Sequence, residues 1–333
     1  METVLTGITT TGTPHIGNYV GAIQPAVTAS WRDNVASYYF LADYHSLVKG
    51  SEPDRVARST LEIAASWLAA GLNPASVFYR QSDVPEITEL AWVLTCMTAK
   101  GLMNRAHAYK AAVDENEARG NRDPDQGITM GLFCYPILMA ADILMFKAHK
   151  VPVGKDQIQH VEMARDIAAR FNHHFGETFV LPEAQISDSS AVLPGLDGRK
   201  MSKTYDNTIP LFIEEKKLRK LIMKIKTNSQ EPGEPKDPDD SALFAIYRAF
   251  ATEEEAAAMR RRYAEGIGWG EMKQVLFEYM NAHLQAPRHE YQRLLAAPDH
   301  VEAVLREGAE RARAVSQPFM AHIRDAVGLR PLA

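Results

Sequence analysis

Apolar residues in the first half of the chain occur in short runs that alternate with longer segments of helical spacing. Runs rich in β-branched and aromatic side chains predict strands at residues 3–6, 37–42 and 76–80. Residues 19–29 instead place apolar side chains three and four positions apart, which is typical of an amphipathic helix. This alternation predicts an α/β fold with a doubly wound, mostly parallel (Rossmann-type) sheet, whose ligands bind at the carboxyl ends of the strands.

Two further helices are predicted together with their ends. Ser59 and Glu62 have the spacing of a capping box, which predicts a helix that begins there and ends at Gly71. Apolar side chains recur at helical spacing over residues 158–171, and Asp156 stands where it could cap that helix. Both helices belong to the alternating pattern of the first half.

The pattern becomes helical, with no clear strands, in the last two fifths of the chain. We therefore expect a nucleotide-binding sheet domain at residues 1–206, an all-α helical domain at 207–295 and a C-terminal helix at 296–333 that packs back on the first domain. A polar stretch at 114–126 predicts an exposed insertion, which we place within residues 91–130.

The composition excludes several classes of protein. Hydrophobic residues make up 46% and charged residues 24% of the 333 positions, which is ordinary for a globular chain and argues against disorder. No apolar run approaches the ~18 residues of a membrane-spanning helix and no signal peptide is evident, so we expect a cytoplasmic protein with no membrane partner. The two cysteines form neither a disulfide framework nor a metal-ligand pattern, and no metal site is expected.

The formal net charge of −5 gives no overall attraction to nucleic acid, so a polyanion would have to be held by a local patch. The strongest candidate is the basic run at residues 216–226. Its charges are also consistent with a solvated helix face, which is the usual meaning of such a run.

The segment TGTPHIGNYVGA, residues 11–22, follows the first predicted strand and opens a predicted helix. A strand, a glycine-bearing turn and a helix N-terminus together bring backbone N–H groups and the helix dipole toward an anion. The glycines alone would fit an ordinary turn between strand and helix. His15 and Asn18 add side chains that can donate to phosphate oxygens.

The segment DGRKMSKT, residues 197–204, has two lysines three positions apart in a loop introduced by glycine. Each lysine is a mobile point charge, so both could reach one polyphosphate. Taken alone, the segment could equally be a basic surface loop. Its occurrence together with the segment around His15 makes phosphate binding the better interpretation.

These segments resemble the signatures of class I aminoacyl-tRNA synthetases. HIGN at residues 15–18 is similar to their HIGH motif, and KMSKT at 200–204 is similar to their KMSKS loop. A third stretch, YPILMAADIL at 135–144 followed by VPVGKDQIQH at 151–160, resembles the tryptophanyl-tRNA synthetase family, and the similarity continues through 165–172. The resemblance extends over most of the chain, and the three motifs in this order are highly specific as a set.

The resemblance implies ATP-dependent activation of L-tryptophan to tryptophanyl-adenylate with release of pyrophosphate, Mg²⁺ sharing the phosphate charge, and transfer to tRNA(Trp) by a homodimer. It also implies that the helical domain at 207–295 binds the anticodon. Gly17 would let the adenosine approach the backbone. The implied catalytic residues are His15, Asn18, Lys200 and Lys203. The implied ATP-binding residues are Thr9, Thr10, Thr11, Gly17, Asn18, Gly154, Lys155, Asp156, Val192, Lys200, Met201, Ser202, Lys203 and Thr204.

The amino-acid pocket implied by the resemblance is lined by Leu5, His45, Tyr135, Met139, Asp142, Val153 and Gln157. The indole N–H of tryptophan can only donate a hydrogen bond, so a pocket that selects it needs an acceptor among apolar walls. Asp142 is the expected acceptor, with Met139 and Val153 as walls. The implied homodimer would partly bury Trp92, Leu94 and Met97 against a second subunit.

The chain departs from the family pattern at several positions, among them Thr9 where a glutamine is usual and Ala112 where a second phosphate-reaching lysine is usual. Three alternatives to tryptophan–tRNA ligase stay open at this point. They are a tyrosyl-tRNA synthetase, a small-metabolite nucleotidylyltransferase and a tRNA-binding paralogue that has lost catalysis.

Overall fold

The computed structural model describes residues 2–10, 12–50, 52–186 and 193–332. Its core is one five-stranded sheet in which every neighbouring pair is parallel, in the order β3-β2-β1-β4-β5. The strands are β1 (Glu2–Thr9), β2 (Val35–Ala42), β3 (Val77–Arg80), β4 (Lys150–Val153) and β5 (Glu183–Ile186). The three predicted strands and the doubly wound parallel sheet are confirmed.

Helices cover both faces of the sheet and form most of the remaining described chain. Those that precede residue 207 are α1 (Ile16–Asn18), which continues through a π-helical turn (Tyr19–Ile23) into α2 (Gln24–Ser30), α3 (Asp43–Ser46), α4 (Pro53–Ala69), α5 (Glu86–Met97), α6 (Lys100–Met103), α7 (His107–Ala118), α8 (Met130–Met145) and α9 (Ile158–Phe175). Those that follow are α10 (Glu215–Met223), α11 (Ala242–Arg248), α12 (Glu253–Ala264), α13 (Trp269–Leu295) and α14 (Pro298–Ala326).

The predicted start of α4 is wrong, although its end is confirmed. The helix begins two turns earlier, at Pro53, because proline at the first helical position has the right φ angle and needs no N–H partner. Ser59 therefore lies inside the helix, where its hydroxyl accepts a hydrogen bond from the Gly12 amide at 2.9 Å. Gly71, with φ of +90°, lies just beyond the end of the helix.

The predicted helix over residues 158–171 is confirmed as α9, but Asp156 does not cap it. Gln157 occupies the cap position without a side-chain hydrogen bond to the helix. The Asp156 carboxylate instead accepts from the Gln157 side-chain amide at 3.0 Å, in a 3₁₀ turn that precedes α9. The carboxylate is exposed at the carboxyl end of β4.

The stretch predicted as an exposed insertion is partly helical. Residues 114–118 form the last turn of α7, and 119–129 form exposed turns before α8. In α5, Leu94 is fully buried in this chain's own apolar core, so the expectation that it meets a second subunit is wrong. Trp92 on the same helix is 68% exposed.

Two apolar clusters organise the packing. One lies between α5, α8, α9 and α14 and the sheet. The other joins α2 and α4 to α10, α11, α12 and α13, so the helices after residue 206 share a core with the sheet layer. α14 lies directly on β3: a Cβ atom on Gly308 would come within 1.7 Å of the Phe78 carbonyl oxygen. In the described part of the chain, no helix combines the length and apolarity needed to cross a bilayer.

Candidate active site

The predicted site residues gather where the strands end. His45 follows β2, Gly154 follows β4, and the segment containing His15 follows β1. The order of strands reverses between β1 and β4, and this switch point is where open parallel sheets bind ligands. Two cavities border this edge, and we refer to them as the large cavity and the cationic cavity.

The large cavity has a volume of about 860 Å³ and contains all seven residues predicted for the amino-acid pocket. Thr9 and Gly154, predicted to contact ATP, also line it. Seven positions spread over more than 150 residues of sequence therefore meet in one space. The predicted amino-acid residues in it are Leu5, His45, Tyr135, Met139, Asp142, Val153 and Gln157.

Asp142 provides a buried carboxylate at the wall of the large cavity. It lies on α8 and is 0% exposed. The Gln81 side-chain amide donates to both of its oxygens, at 2.8 and 3.0 Å, and His45 Nε2 lies 2.9 Å from Oδ2. Burial raises the pKa of Asp142, while the hydrogen bonds from His45 and Gln81 oppose that rise. The two donors hold the carboxylate in place and leave it lone pairs for a further donor.

Gln81 is a site residue that the sequence analysis missed. It is fully buried directly after β3, and its own Oε1 accepts from the Tyr44 amide at 3.2 Å. A polar residue at the carboxyl end of a predicted strand was the available signal. That signal does not reveal the partner, because Gln81 and Asp142 are 61 positions apart.

A second missed residue, His160, connects two predicted ones. Its Nδ1 lies 2.8 Å from Gln157 Oε1, and its Nε2 lies 2.9 Å from the Tyr135 hydroxyl. Gln157 Oε1 can only accept, so the proton is on Nδ1 and Nε2 accepts from Tyr135. Burial, followed by the charge of His107, lowers the pKa of His160, in agreement with a neutral ring. This chain of hydrogen bonds orients Tyr135 and Gln157.

The cationic cavity, of about 370 Å³, is formed between the segment after β1, one face of α4 and the loop of residues 193–210. It contains two of the four predicted catalytic residues, His15 and Lys203. The others that line it are Gly12, Thr13, Arg55, Arg58, Ser59, Glu62, Thr208 and Pro210.

His15 and Asn18 form a reciprocal cap at the start of α1. His15 Nδ1 accepts from the Asn18 amide at 3.3 Å, and Asn18 Oδ1 accepts from the His15 amide at 3.0 Å. The imidazole proton is therefore on Nε2. Burial, together with the charge of Lys203, lowers the pKa of His15 to about 4, so the ring is neutral at pH 7. Each residue keeps one donor for a ligand, His15 Nε2–H and the Asn18 side-chain NH₂.

Gly17 lies against the ring of His15. A Cβ atom there would come within 3.0 Å of the His15 ring and 3.7 Å of the Met201 sulfur. A side chain at residue 17 would crowd the imidazole. Met201 itself, predicted to contact ATP, is 4% exposed and belongs to the apolar core.

The two signature lysines are separated by the structure. Lys203 opens a 3₁₀ turn and lines the cationic cavity, and its pKa is lowered by burial of the ammonium and by the charge of Arg55, although the residue as a whole is exposed. Lys200 is exposed and lines neither cavity. Ser202 accepts from the Thr204 amide at 3.2 Å, which shapes the turn.

Asn207 holds this loop together and was not predicted. It is 2% exposed, and its side chain accepts from the Ser202 amide at 2.8 Å and donates to Asp197 at 2.7 Å. Its hydrogen bond is the main cause that lowers the pKa of Asp197 to about 2. The side-chain amide of Asn207 therefore holds the loop that carries Lys203 in its conformation.

The remaining predicted ATP contacts have different positions. Thr10 is 1% exposed and its hydroxyl lies 2.7 Å from that of Ser46, so the structure does not present its side chain to either cavity. Lys155 is exposed in the turn after β4. Thr11 and Val192 lie outside the described residues. Among the described residues, no group of three metal-ligating side chains occurs.

The chain is similar to known proteins over nearly its whole length. The family model of class I tRNA synthetases (W and Y) matches residues 2–285. The chain is 62% identical to the tryptophan–tRNA ligase of Pseudomonas aeruginosa, covering 99% of this chain and 74% of that protein. It is 58% identical to the tryptophan–tRNA ligase of Neisseria meningitidis, covering 99% and 98%.

A solved structure gives the same result. The crystal structure of tryptophanyl-tRNA synthetase from Campylobacter jejuni, complexed with ADP and tryptophan, superimposes with a TM-score of 0.87 at 42% identity, covering 98% of this chain and 99% of that one. The sequence and the fold both match these proteins over nearly the whole chain. The chain belongs to the tryptophanyl-tRNA synthetase family of class I aminoacyl-tRNA synthetases.

Proposed function

We propose that this chain is a tryptophan–tRNA ligase, which activates L-tryptophan with ATP and transfers it to tRNA(Trp). The observation that carries the proposal is the buried carboxylate of Asp142 in the large cavity, held by His45 and Gln81 among apolar walls. An acceptor in such a setting suits the indole N–H, which offers a donor only. Family membership and the neighbouring cationic cavity support the same reaction.

In the activation step, a carboxylate oxygen of tryptophan attacks the α-phosphorus of ATP. The bond from that phosphorus to its bridging oxygen breaks, and pyrophosphate leaves with the electron pair. Because the nucleophile is already an anion, no general base is required, and catalysis depends on alignment and on stabilising the charge that spreads over the phosphates. His15 Nε2–H, the side-chain NH₂ of Asn18 and the Lys203 ammonium are the donors we assign to that charge.

We propose that Mg²⁺ enters with ATP as part of the substrate. The described residues contain no cluster of carboxylates or imidazoles that could hold a resident metal. Mg²⁺ is commonly bound through substrate phosphates with few protein ligands. Both observations suit a magnesium ion carried by the nucleotide.

The decisive experiment is amino-acid-dependent exchange of labelled pyrophosphate into ATP, tested with one amino acid at a time. We expect exchange with tryptophan and none above background with tyrosine. Exchange that requires tyrosine would assign the chain to the related synthetase. Absence of exchange with every amino acid, despite binding of tRNA(Trp), would identify a paralogue without catalysis.

We also propose that α10 contacts tRNA. Its apolar residues Leu218 and Ile222 are buried, which leaves a basic face in solvent. Lys217 is paired with Glu214 at 3.2 Å, whereas Lys216 and Lys220 are exposed and have no such partner in the described part of the chain. Lys224 and Lys226 extend the same exposed charge beyond the helix.

A variant with Lys216, Lys220, Lys224 and Lys226 all changed to Gln tests this surface. Each lost phosphate contact should reduce the slope of log K for tRNA(Trp) against log salt by about one. Formation of the adenylate should be unchanged, because neither cavity contains these residues. Normal aminoacylation by the fourfold variant would show that the run is a solvated helix face.

We propose that two chains form a homodimer through the α5 face that exposes Trp92. The indole of Trp92 is 68% exposed, so α5 presents a large apolar side chain to solvent on this face. Light scattering at micromolar concentration should give twice the chain mass of 37.1 kDa. Trp92→Glu should shift the population toward single chains, and a mass of one chain for the parent would refute the proposal.

A further inference from the structure

One face of α4 borders the cationic cavity, and no step described above makes use of it. Arg55, Arg58, Ser59 and Glu62 are spaced three, four and seven positions apart, so they project from the same side of the helix. All four line the cavity. The helix thereby adds two guanidinium groups to the walls that already contain His15.

Two hydrogen bonds tie this face to the segment after β1. The Gly12 amide donates to the Ser59 hydroxyl at 2.9 Å, and the Thr13 hydroxyl donates to Glu62 at 2.6 Å. Arg55 also lies beside Lys203 at this point. A Cβ atom on Gly12 would be 3.8 Å from the Arg55 guanidinium and 3.4 Å from the Lys203 ammonium. The cation of Arg55 on α4 and that of Lys203 in the signature loop therefore both lie close to Gly12.

The charge at this place is unbalanced. Three cations, Arg55, Arg58 and Lys203, share the cavity with the single carboxylate of Glu62, which already accepts from Thr13. Over the ranges that the structure describes, neither guanidinium forms a hydrogen bond or an ion pair. Burial is the main cause that lowers the pKa of Lys203; repulsion from Arg55 lowers it further, and the charge of Glu62 opposes the change. An anion between these groups would relieve the repulsion.

We propose that Arg55 and Arg58 bind the β- and γ-phosphates of ATP and the pyrophosphate that leaves. The planar fork of a guanidinium can donate two parallel hydrogen bonds to phosphate oxygens, which a lysine cannot. α4 then holds the leaving group from one side of the cavity while Lys203 and His15 hold it from the signature segments. This inference rests on the proposed function, because it assigns the anion to the activation step.

The same arginines could instead meet a backbone phosphate of tRNA. The neighbouring residues favour pyrophosphate, because the cavity that contains the two arginines is also lined by His15 and Lys203, one from each signature segment. A volume of about 370 Å³ is at the small end for a ligand pocket and suits a compact anion.

The test compares R55Q, R58Q and the double variant R55Q/R58Q with the parent, using the full chain. R306Q is the matched control, because Arg306 is an exposed arginine on α14 that lines neither cavity. Calorimetry with inorganic pyrophosphate measures the site without catalysis. Tryptophan-dependent exchange of pyrophosphate into ATP measures the KM for pyrophosphate. The tryptophan dissociation constant and the melting temperature show whether each variant is folded.

Each single variant should weaken pyrophosphate binding about tenfold, a modest value for a charged hydrogen bond because the arginines are exposed, and the double variant should weaken it further. The KM for pyrophosphate should rise in parallel, while tryptophan binding and the control stay unchanged. R55K should recover part of the affinity, since it restores charge without the fork.

Pyrophosphate affinity of the double variant within twofold of the parent would overturn the inference. Normal exchange combined with lost aminoacylation would also overturn it, and would assign the arginines to tRNA. If the parent binds pyrophosphate through these arginines but shows no tryptophan-dependent exchange, the proposed function fails while the anion site stands.

Discussion

The two cavities share one edge of the sheet but arrange their polar groups in opposite ways. In the large cavity, the polar side chains are paired with one another before any ligand arrives: Asp142 with Gln81 and His45, and Tyr135 with His160. In the cationic cavity, three cations face one carboxylate and the two arginines have no partner among the described residues.

This difference follows from what each cavity has to recognise. A pocket that selects one amino acid must hold a single acceptor in a fixed position, because discrimination depends on a hydrogen bond that competitors fail to make. A site for a polyphosphate needs a surplus of positive charge and donors, and that charge is compensated only when the anion binds. A change in one cavity should therefore impair the binding of that cavity's own ligand and leave binding in the other cavity intact.

The largest expected effect is in the cationic cavity. Lys203→Ala should lower the rate of tryptophan activation about 10²–10³-fold, the usual cost of removing one donor to charge that grows in the transition state. Tryptophan binding should stay nearly unchanged, since Lys203 does not line the large cavity. Lys100→Ala, an exposed lysine on α6, is the control. A Lys203→Ala rate within a few fold of the parent would refute this assignment.

The complementary change is in the large cavity. Asp142→Ala should lower activation of tryptophan about 10–150-fold, which corresponds to the loss of a hydrogen bond to a charged group. Pyrophosphate binding should be unaffected. The sharper measurement uses a tryptophan analogue with sulfur in place of the indole nitrogen. The parent should strongly prefer tryptophan, and the variant should lose most of that preference; equal discrimination by both would exclude Asp142 as the indole acceptor.

A smaller effect is expected when only the support of Asp142 is removed. Gln81→Leu deletes two hydrogen bonds that oppose the raised pKa of Asp142, so that pKa should rise further. The carboxylate is ionised above its pKa and protonated below it. The decline of kcat/KM for tryptophan toward low pH should therefore begin at a higher pH than in the parent. Superimposable pH profiles would show that Gln81 does not support the carboxylate.

The smallest effect concerns His15, whose assigned role is that of a neutral donor. Its pKa of about 4 means that the ring should gain no charge between pH 8 and pH 5.5. Nuclear magnetic resonance of the imidazole should give a titration midpoint near 4. A midpoint above 6 would make His15 a cation near neutral pH and would place a fourth positive charge in the cationic cavity.

Sequence periodicity predicted the sheet and α9 because each depends on which side of a segment is apolar. It failed at the start of α4, where Ser59 and Glu62 matched a capping box yet serve the loop after β1 instead. The expectation that the family resemblance implied for Leu94 also failed, since a buried position gives the same sequence pattern whether the covering surface is internal or a second chain. Local patterns do not reveal which distant segment a side chain meets.

The amino acid sequence by itself determined the parallel sheet, the helical second half, the family and, through the family resemblance, the seven predicted pocket residues that line the large cavity. Those features depend on local periodicity or on short motifs whose residues are contiguous in the sequence. The tertiary structure alone decided that Gln81 supports Asp142, that His160 joins Tyr135 to Gln157, and that α4 turns Arg55 toward Lys203. The physical reason is that hydrogen bonds and charge repulsion act over a few ångströms in space, and only folding brings together groups that are far apart along the chain.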